Sequence, residues 1–355
     1  MYRSFTIRNF RGFRDFTLDS LERVNLIAGQ NNVGKTALLE AIFLHIGANN
    51  PELGPRVNAW RGLQRFKADI EDMWGPIFHN YEINAPIQLM SQDDEPVDRD
   101  LQIVLTDSST TPIETSNGGS LTDSMTTAAA GREIRLEYKD SAGQSYISRG
   151  TVTDEGYRSE RGQRVITTPG FFLSTRYLSP AEDAERFSDL AAAGKQESLL
   201  PILRLLEPRL RQLIVLVRGG VAMVHGDIGT GRPLPVPIMG EGTSRLLSLA
   251  LGIASSEHGV VLIDEVENGI HYSVMTKVWA AIAKAARAAD VQVFATTHSW
   301  ECITAAHEAF HEEFKRSGLY DFRLHRLDRV GDDIRAVTLD QEMLDTAIQM
   351  GLEVR

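Results

Sequence analysis

Four short stretches in this 355-residue chain combine residue types and spacings that could handle a phosphate chain. The sharpest is GQNNVGKT (29–36), which fits the pattern G-x-x-x-x-G-K-[ST]. It follows an apolar run, VNLIAG (24–29), that reads as a strand, and it precedes Leu38, Leu39, Ile42, Phe43 and Ile46 at helical spacing. A phosphate chain needs backbone N–H groups turned inward, which asks for glycine at the tight turns, and a helix N-terminus adds its positive end. The nucleotide-contacting set is therefore Gly29, Asn31, Asn32, Val33, Gly34, Lys35, Thr36 and Ala37, with Lys35 reaching the outer phosphates and Thr36 holding Mg²⁺. An ordinary glycine-rich turn before a helix is the competing reading, and the strand-turn-helix context argues against it.

The second stretch, GVVLIDEVENGIH (259–271), ends four apolar residues in Asp264 and Glu265. Many strands end in Asp for turn reasons. Behind a phosphate-binding loop, the pair reads as a Mg²⁺ ligand acting through water (Asp264) and a general base that polarises an attacking water (Glu265). The third, FATTHSW (294–300), ends an apolar strand near His298, a position that in such a sheet faces the γ-phosphate and can orient the water. A structural histidine is its alternative. The fourth, MGEGTSRLLSLALGIA (239–254), is a glycine turn before an apolar helix, with Thr243 or Ser244 available as a cap. Read functionally, its exposed helix start binds a γ-phosphate held by another subunit.

Two further features compete for attention. HEAFH (307–311) fits the H-E-x-x-H zinc-protease pattern, placing His307 and His311 one turn apart with Glu308 between them. Its context is poor, because Phe314 sits where a third-ligand motif needs other residues. Arg11, on the hairpin before the loop, is a candidate cation over a base or near a phosphate, while Phe10 and Phe13 read as core. Arginines outnumber lysines 30 to 7 and cluster at Arg204, Arg209, Arg211 and Arg218, so DNA is a possible partner alongside plain solvated charge.

The elements that must position these residues follow from periodicity. Residues 1–92 read as a strand pair feeding a third strand, then the loop and its helix, then short helices. Residues 93–170 are β-rich around a Ser/Thr/Gly tract, about 109–131, whose composition favours a mobile loop. A leucine-crowded segment, 178–215, reads as a short helical arm projecting from the core, and 216–355 alternates strands and helices. The fold class is α/β, with a mixed sheet, an antiparallel β lobe and that arm.

Composition narrows the rest. With 42% hydrophobic and 24% charged residues the chain is globular, and its net charge of −11 confines any nucleic-acid contact to a local patch. The start, MYRSFTIRNFRGFRDF, has no apolar leader, and no uncharged run approaches the ~18 residues of a membrane span. A single cysteine, Cys302, excludes an internal disulfide, and the reading is a cytoplasmic protein with no membrane contact.

In order and rough spacing the four motifs resemble those of ABC-type ATPase heads, and FTIRNFRGFRDF resembles the SMC-like branch. MGEGTSRLL, DEVENGIH and the closing GLEVR further resemble stand-alone AAA-family ATP-binding proteins akin to the OLD-family head. The resemblance implies a single ATPase head over 1–355 that binds ATP and Mg²⁺ and hydrolyses ATP slowly. It implies a head-to-tail homodimer in which ATP on Lys35 and Thr36 is closed by Gly240 and Gly242 of the other subunit. Three departures stand out: MGEGT in place of LSGGQ, His271 where many relatives have an aspartate, and only Gln88 and Gln92 as candidates for the Q-loop glutamine. With 57 residues after His298, a Toprim nuclease domain is expected to be absent, so the effector would be a separate protein, such as a Toprim-type nuclease in DNA repair or phage defence. An ATP-gated scaffold or DNA clamp is the alternative, and a zinc protease the distant one.

Overall fold

The run VNLIA divides its side chains between two apolar environments: Val24, Leu26 and Ala28 enter one hydrophobic core and Ile27 enters another. A strand buried on both faces belongs inside a parallel sheet covered on both sides. The computed structural model, which describes residues 1–63, 69–94, 98–107, 132–153, 156–162, 168–175 and 178–354, places it there. The expected loop at 109–131 lies outside the described residues.

The first half of the chain runs β1 (Tyr2–Phe10), β2 (Phe13–Leu18), β3 (Val24–Ala28), α1 (Lys35–Ile46), α2 (Leu53–Trp60), α3 (Ile70–Trp74), β4 (Ile87–Asp93), β5 (Asp98–Asp107), β6 (Arg132–Lys139), β7 (Ser145–Thr153), β8 (Gly156–Glu160) and β9 (Gly170–Leu173). The second half runs α4 (Pro180–Ala192), α5 (Leu200–Leu203), β10 (Gln212–Arg218), β11 (Val221–Asp227), β12 (Leu234–Pro235), α6 (Glu241–Ser255), β13 (Val260–Ile263), α7 (Tyr272–Ala288), β14 (Gln292–Thr296), α8 (Trp300–Ser317), β15 (Phe322–Val330), β16 (Asp333–Leu339) and α9 (Gln341–Gln349).

Strands β9, β13, β14, β3 and β15 lie side by side in parallel, and β16 closes the edge antiparallel. A second sheet, β2-β1-β4-β5-β6-β7-β8, is antiparallel throughout. Helix α1 is sandwiched between them. Its Leu38, Leu39 and Ile42 share a core with Phe5, Ile7 and Leu89 of the antiparallel sheet and with Leu262 and Phe294 of the parallel one. The opposite face of the parallel sheet is covered by α6, α7 and α8 through Leu246, Leu249, Val278, Ile282, Ile303 and Phe310. The expected α/β architecture with a mixed sheet and an antiparallel lobe is thus present. LIVLV and VAMVHG form strands as read, but they pair as a hairpin in a small separate sheet, β10-β11-β12.

The segment 178–215 corrects one expectation. It does not project: Leu190, Leu199, Leu200 and Leu203 are buried in the same core as α6, and its last residues open β10. Crowded leucines are the signature of a packing face, and here α4 and α5 supply one. Ser179 caps α4 by accepting a hydrogen bond from Glu182 N–H at 3.3 Å, with Pro180 in the first turn. One helical turn on, buried Asp183 accepts a hydrogen bond from Ser248 of α6, tying the two helices together.

Two outcomes follow from this packing. Leu203 is fully buried, so Leu203→Ala should lower the free energy of unfolding in urea by ~2–5 kcal/mol; a change under about 0.5 kcal/mol, usual for surface substitutions, would restore the projecting arm. Burial raises the Asp183 carboxyl from its ordinary value of 3.8 to about 6. The folded state therefore binds this proton more tightly than the unfolded chain, and the stabilisation is full below the ordinary value and lost as pH rises through about 6. The Asp183→Asn variant should gain stability relative to the parent as pH rises from about 4 to 7; a difference in unfolding midpoints that does not change with pH would refute the assignment.

Candidate active site

Parallel strands bring their C-terminal ends to one edge, where the following loops meet. Here β3 leads into the 29–34 loop and β13 into Asp264 and Glu265, while β14, lying between them, leads into Thr297 and His298. Both loop glycines are required by geometry. Gly29 has φ 140°, and a Cβ on it would meet Leu327 O at 2.6 Å; Gly34 has φ 95°, and a Cβ there would meet the Phe13 ring at 2.9 Å. Val33 and Ala37 bury their side chains in the core beneath the loop, whereas Asn31 and Asn32 are exposed, Asn32 at φ 64°. Any contact from Val33 or Ala37 to a ligand would be made by backbone.

Lys35 is only 9% exposed, and its Nζ donates to Gly29 O at 2.6 Å and Gln30 O at 2.8 Å. Burial holds its pKa below the ordinary lysine value, against the opposite pull of Asp264, Glu265 and Glu267. Thr36 Oγ1 donates to Asp264, 3.0 Å from Oδ1 and 3.2 Å from Oδ2. Thr296 Oγ1 donates to the same Oδ1 at 2.7 Å, so the buried carboxylate is satisfied by hydroxyls from both neighbouring elements. Hydroxyl and carboxylate oxygens so placed are a donor set for a hard cation such as Mg²⁺.

Glu265 adopts φ 49°, an uncommon conformation for a side-chain-bearing residue, and its N–H donates to Thr296 Oγ1 at 2.8 Å. It lines a cleft of ≈ 720 Å³ together with Thr36, Asp264, Glu40, Trp60 and Arg61. That is within the usual range for small-molecule sites, ~300–1,000 Å³. His298 is exposed, and its Nδ1 lies 3.3 Å from Glu267 Oε1. The same Glu267 oxygen accepts from Thr297 Oγ1 at 2.8 Å and from His298 N–H at 3.0 Å. The sequence reading missed Glu267, although it sits two residues past Glu265 in DEVENG.

Arg245 was missed as well. Buried in α6, it donates to Ser174 O at 3.2 Å, to Asp264 O and to Glu265 O at 3.1 Å, which fastens the glycine-turn helix to the carboxylate loop. Gly242, read as a surface that closes on a second subunit, packs inward: a Cβ on it would meet Gly269 O at 2.1 Å. Gly240 is the outward one, exposed at φ 129° with nothing near its Cβ position. His271 caps α7 by accepting from Ser273 N–H.

Other expectations are corrected. Arg11 does not face a base: its Nε lies 2.9 Å from Glu40 Oε2, and its Nη1 donates to Pro76 O at 3.3 Å. Glu40, 1% exposed and one turn beyond Thr36, is held on its other side by Arg61 at 2.7 and 3.0 Å. Gln88 and Gln92 lie on β4 in the antiparallel sheet, engaged with Arg8 and Asp98, so neither fills the Q-loop place. Of the four clustered arginines, Arg204 donates to Leu210 O, while Arg209, paired with Glu207, stays exposed along with Arg211 and Arg218. HEAFH falls within α8, where Glu308 accepts from Thr276 of α7 while His307 and His311 turn to α9. A protease base and its histidines would share one pocket; these do not.

Comparison with known proteins agrees with this geometry. Residues 4–165 match the model of an AAA domain, and residues 137–302 that of an AAA domain described as putative AbiEii toxin, Type IV TA system. A Helicobacter pylori protein named ATP/GTP phosphatase is 22% identical over 88% of this chain and 89% of its own length. An Smc head solved with the C-winged helix domain of ScpA superposes over 98% of this chain and 99% of that one, at TM-score 0.52 and 14% identity. An Smc head with an extended coiled coil, bound to the C-terminal domain of ScpA derived from Pyrococcus furiosus, matches over 98% of both chains at TM-score 0.50 and 10% identity. Among the described residues no helix is long and apolar enough to cross a membrane. The loop, the carboxylate strand and these likenesses converge on one description: the chain matches AAA-type P-loop ATPase domains over two stretches that lie within residues 4–302, and it has the fold of an SMC head.

Proposed function

We propose that this domain binds Mg-ATP at the 29–36 loop, closes on it head to tail with a second copy, hydrolyses it slowly and thereby switches a separate effector. The observation that carries the reading is the contact of Thr36 Oγ1 with both oxygens of Asp264, made beside Lys35 where β3, β14 and β13 end together. Thr36 and Asp264 would hold Mg²⁺, which when bound neutralises charge on the β- and γ-phosphates.

The chain's own residues supply the rest. Lys35 gives up its two carbonyl partners for phosphate oxygens. Glu265, at the cleft wall, holds and polarises a water, and His298, on its Glu267 anchor, senses the γ-phosphate. Closure uses the N-terminus of α6 from the partner copy through exposed Gly240; Ile238, two residues before it, and Tyr272, three residues beyond Gly269, are 73% and 67% exposed and offer apolar contacts. The effector in this proposal is a Toprim-type nuclease serving DNA repair or phage defence. Its support is the OLD-like character of MGEGTSRLL and DEVENGIH and the AbiEii-type description of the matching model. SMC heads solved with ScpA domains lend support too, since this fold carries partner proteins there.

Lys35→Ala should abolish ATP binding in a calorimetric titration. Because Lys35 is buried and tied to two carbonyls, it should also cost ~1–3 kcal/mol of stability; retained nucleotide affinity would refute the loop assignment. Glu265→Gln should bind ATP, form an ATP-dependent dimer in size-exclusion chromatography that persists, and release phosphate ~10²–10⁴-fold more slowly than the parent. Parent-like phosphate release would move the base elsewhere, with His298 the next residue to test.

A further inference from the structure

The nucleotide site leaves one chemically loaded cluster unused. On α8, His307 and His311 are four residues apart and so share a face; on α9, Gln341 and Asp345 are also four apart and share a face. The two faces meet. His307 Nε2 lies 2.7 Å from Asp345 Oδ1, His311 Nδ1 lies 3.9 Å from Asp345 Oδ2, and Gln341 Nε2 lies 3.2 Å from His311 Nδ1. The ligand atoms of the two histidines and the aspartate all fall within 4.8 Å of one another.

We propose that His307, His311, Asp345 and Gln341 form a binding site for a first-row divalent cation, Zn²⁺ foremost, that clasps α9 onto α8. Two imidazoles and a carboxylate are a Zn²⁺ donor set, and ligands at about 2.0–2.2 Å from a tetrahedral ion sit roughly 3.3 Å apart. The separations of the two histidines from Asp345, 2.7 and 3.9 Å, bracket that value, and all three ligand atoms fall within 4.8 Å, so side-chain rotations can close the set on an ion. Gln341 is the fourth donor. Its amide nitrogen faces His311, and a half-turn about the last bond presents Oε1 instead.

His307 is 8% exposed, and its Nε2 is the atom turned to Asp345. With both imidazoles neutral and His307 Nε2 and His311 Nδ1 unprotonated, their lone pairs and the Asp345 carboxylate oxygens converge on one space, and a cation there satisfies all of them. The site is not a protease centre, because Glu308 is turned away to Thr276 at 2.9 Å, so the ion's role is to join two helices. His307 lies seven residues beyond Trp300, about 10 Å along the helix from the end nearest His298, so the site is separate from the nucleotide loop.

The test uses the full chain, free of any affinity tag and stripped with a chelator, titrated with Zn²⁺ against a chromophoric competitor. The parent should take up one Zn²⁺ per chain and show visible ligand-field bands with Co²⁺, and Zn²⁺ should raise its melting temperature. Asp345→Asn and His311→Gln should each weaken Zn²⁺ by at least ~100-fold, beyond the ~10–100-fold typical of outer-shell losses, and abolish the melting shift. His311 is 28% exposed, so His311→Gln decides the matter should Asp345→Asn not fold. No Zn²⁺ uptake by the parent overturns the proposal, and so does equal uptake by the parent and both variants.

Discussion

A single buried carboxylate organises the site. Asp264 is 5% exposed at the end of β13, and a carboxylate withdrawn from water costs several kcal/mol unless its oxygens are satisfied. Thr36 from α1 and Thr296 from β14 satisfy them, while the Asp264 N–H donates to Leu173 O on β9's side. Only a sheet with β14 between β3 and β13 brings both threonines to one carboxylate. The order of the parallel strands and the chemistry of the site are therefore one constraint: to misplace β14 is to leave a buried charge without one of its two hydroxyl partners. The same pocket of negative charge partly offsets the burial that holds the Lys35 pKa below its ordinary value.

Around that point the structure builds a second layer with no exposed chemistry of its own. Arg245 spans from α6 to the carbonyls of Ser174, Asp264 and Glu265, so one guanidinium joins the end of β9, the carboxylate loop and the glycine-turn helix. Close approach of Gly242 to Gly269 fixes the same register by contact, since a Cβ on either side would run into backbone. Two of Arg245's acceptors are the peptide oxygens on either side of Glu265's positive φ, so one guanidinium ties the carboxylate loop to α6, the helix that begins beside outward-facing Gly240.

What the sequence disclosed and what it withheld divide along the range of the interaction. The 29–36 loop was legible because its demands are local: glycine where φ is positive, an apolar strand before, helical spacing after. Asp264 and the strand ends were legible for the same reason, and so were the β1–β2 hairpin and most strands of the antiparallel lobe. Arg245, Glu267 and Thr296 were not, because their roles exist only between residues 19 to 71 positions apart. Arg11 misled because its partner, Glu40, is set by the packing of α1 against the hairpin, which no spacing encodes. Gly242 misled in a subtler way: glycine permits an exposed turn and a backbone contact equally, and only the fold chooses. The leucines of 199–206 are compatible with a projecting arm or a packed one until the opposite face, on α6, is known.

Helix α8 shows how these constraints extend away from the nucleotide. Its first turn is set by the Ser299 side chain, which accepts from Cys302 N–H at 3.1 Å, and its last by Gly318 in the left-handed region, whose N–H returns to Phe314 O at 2.8 Å. Just before the cap, Glu267 holds Thr297 and the backbone of His298. His298 therefore stands at the junction of two rigid bodies, the carboxylate loop and a helix capped at both ends, with one apolar face of that helix buried under the parallel sheet through Ile303, Ala306 and Phe310. A side chain in that position is tied to both. Displacing the carboxylate loop pulls on it through Glu267, and displacing α8, which carries α9 through His307 and Asp345, pulls on it through the cap, so the exposed imidazole is placed by long-range packing although its own contacts are few.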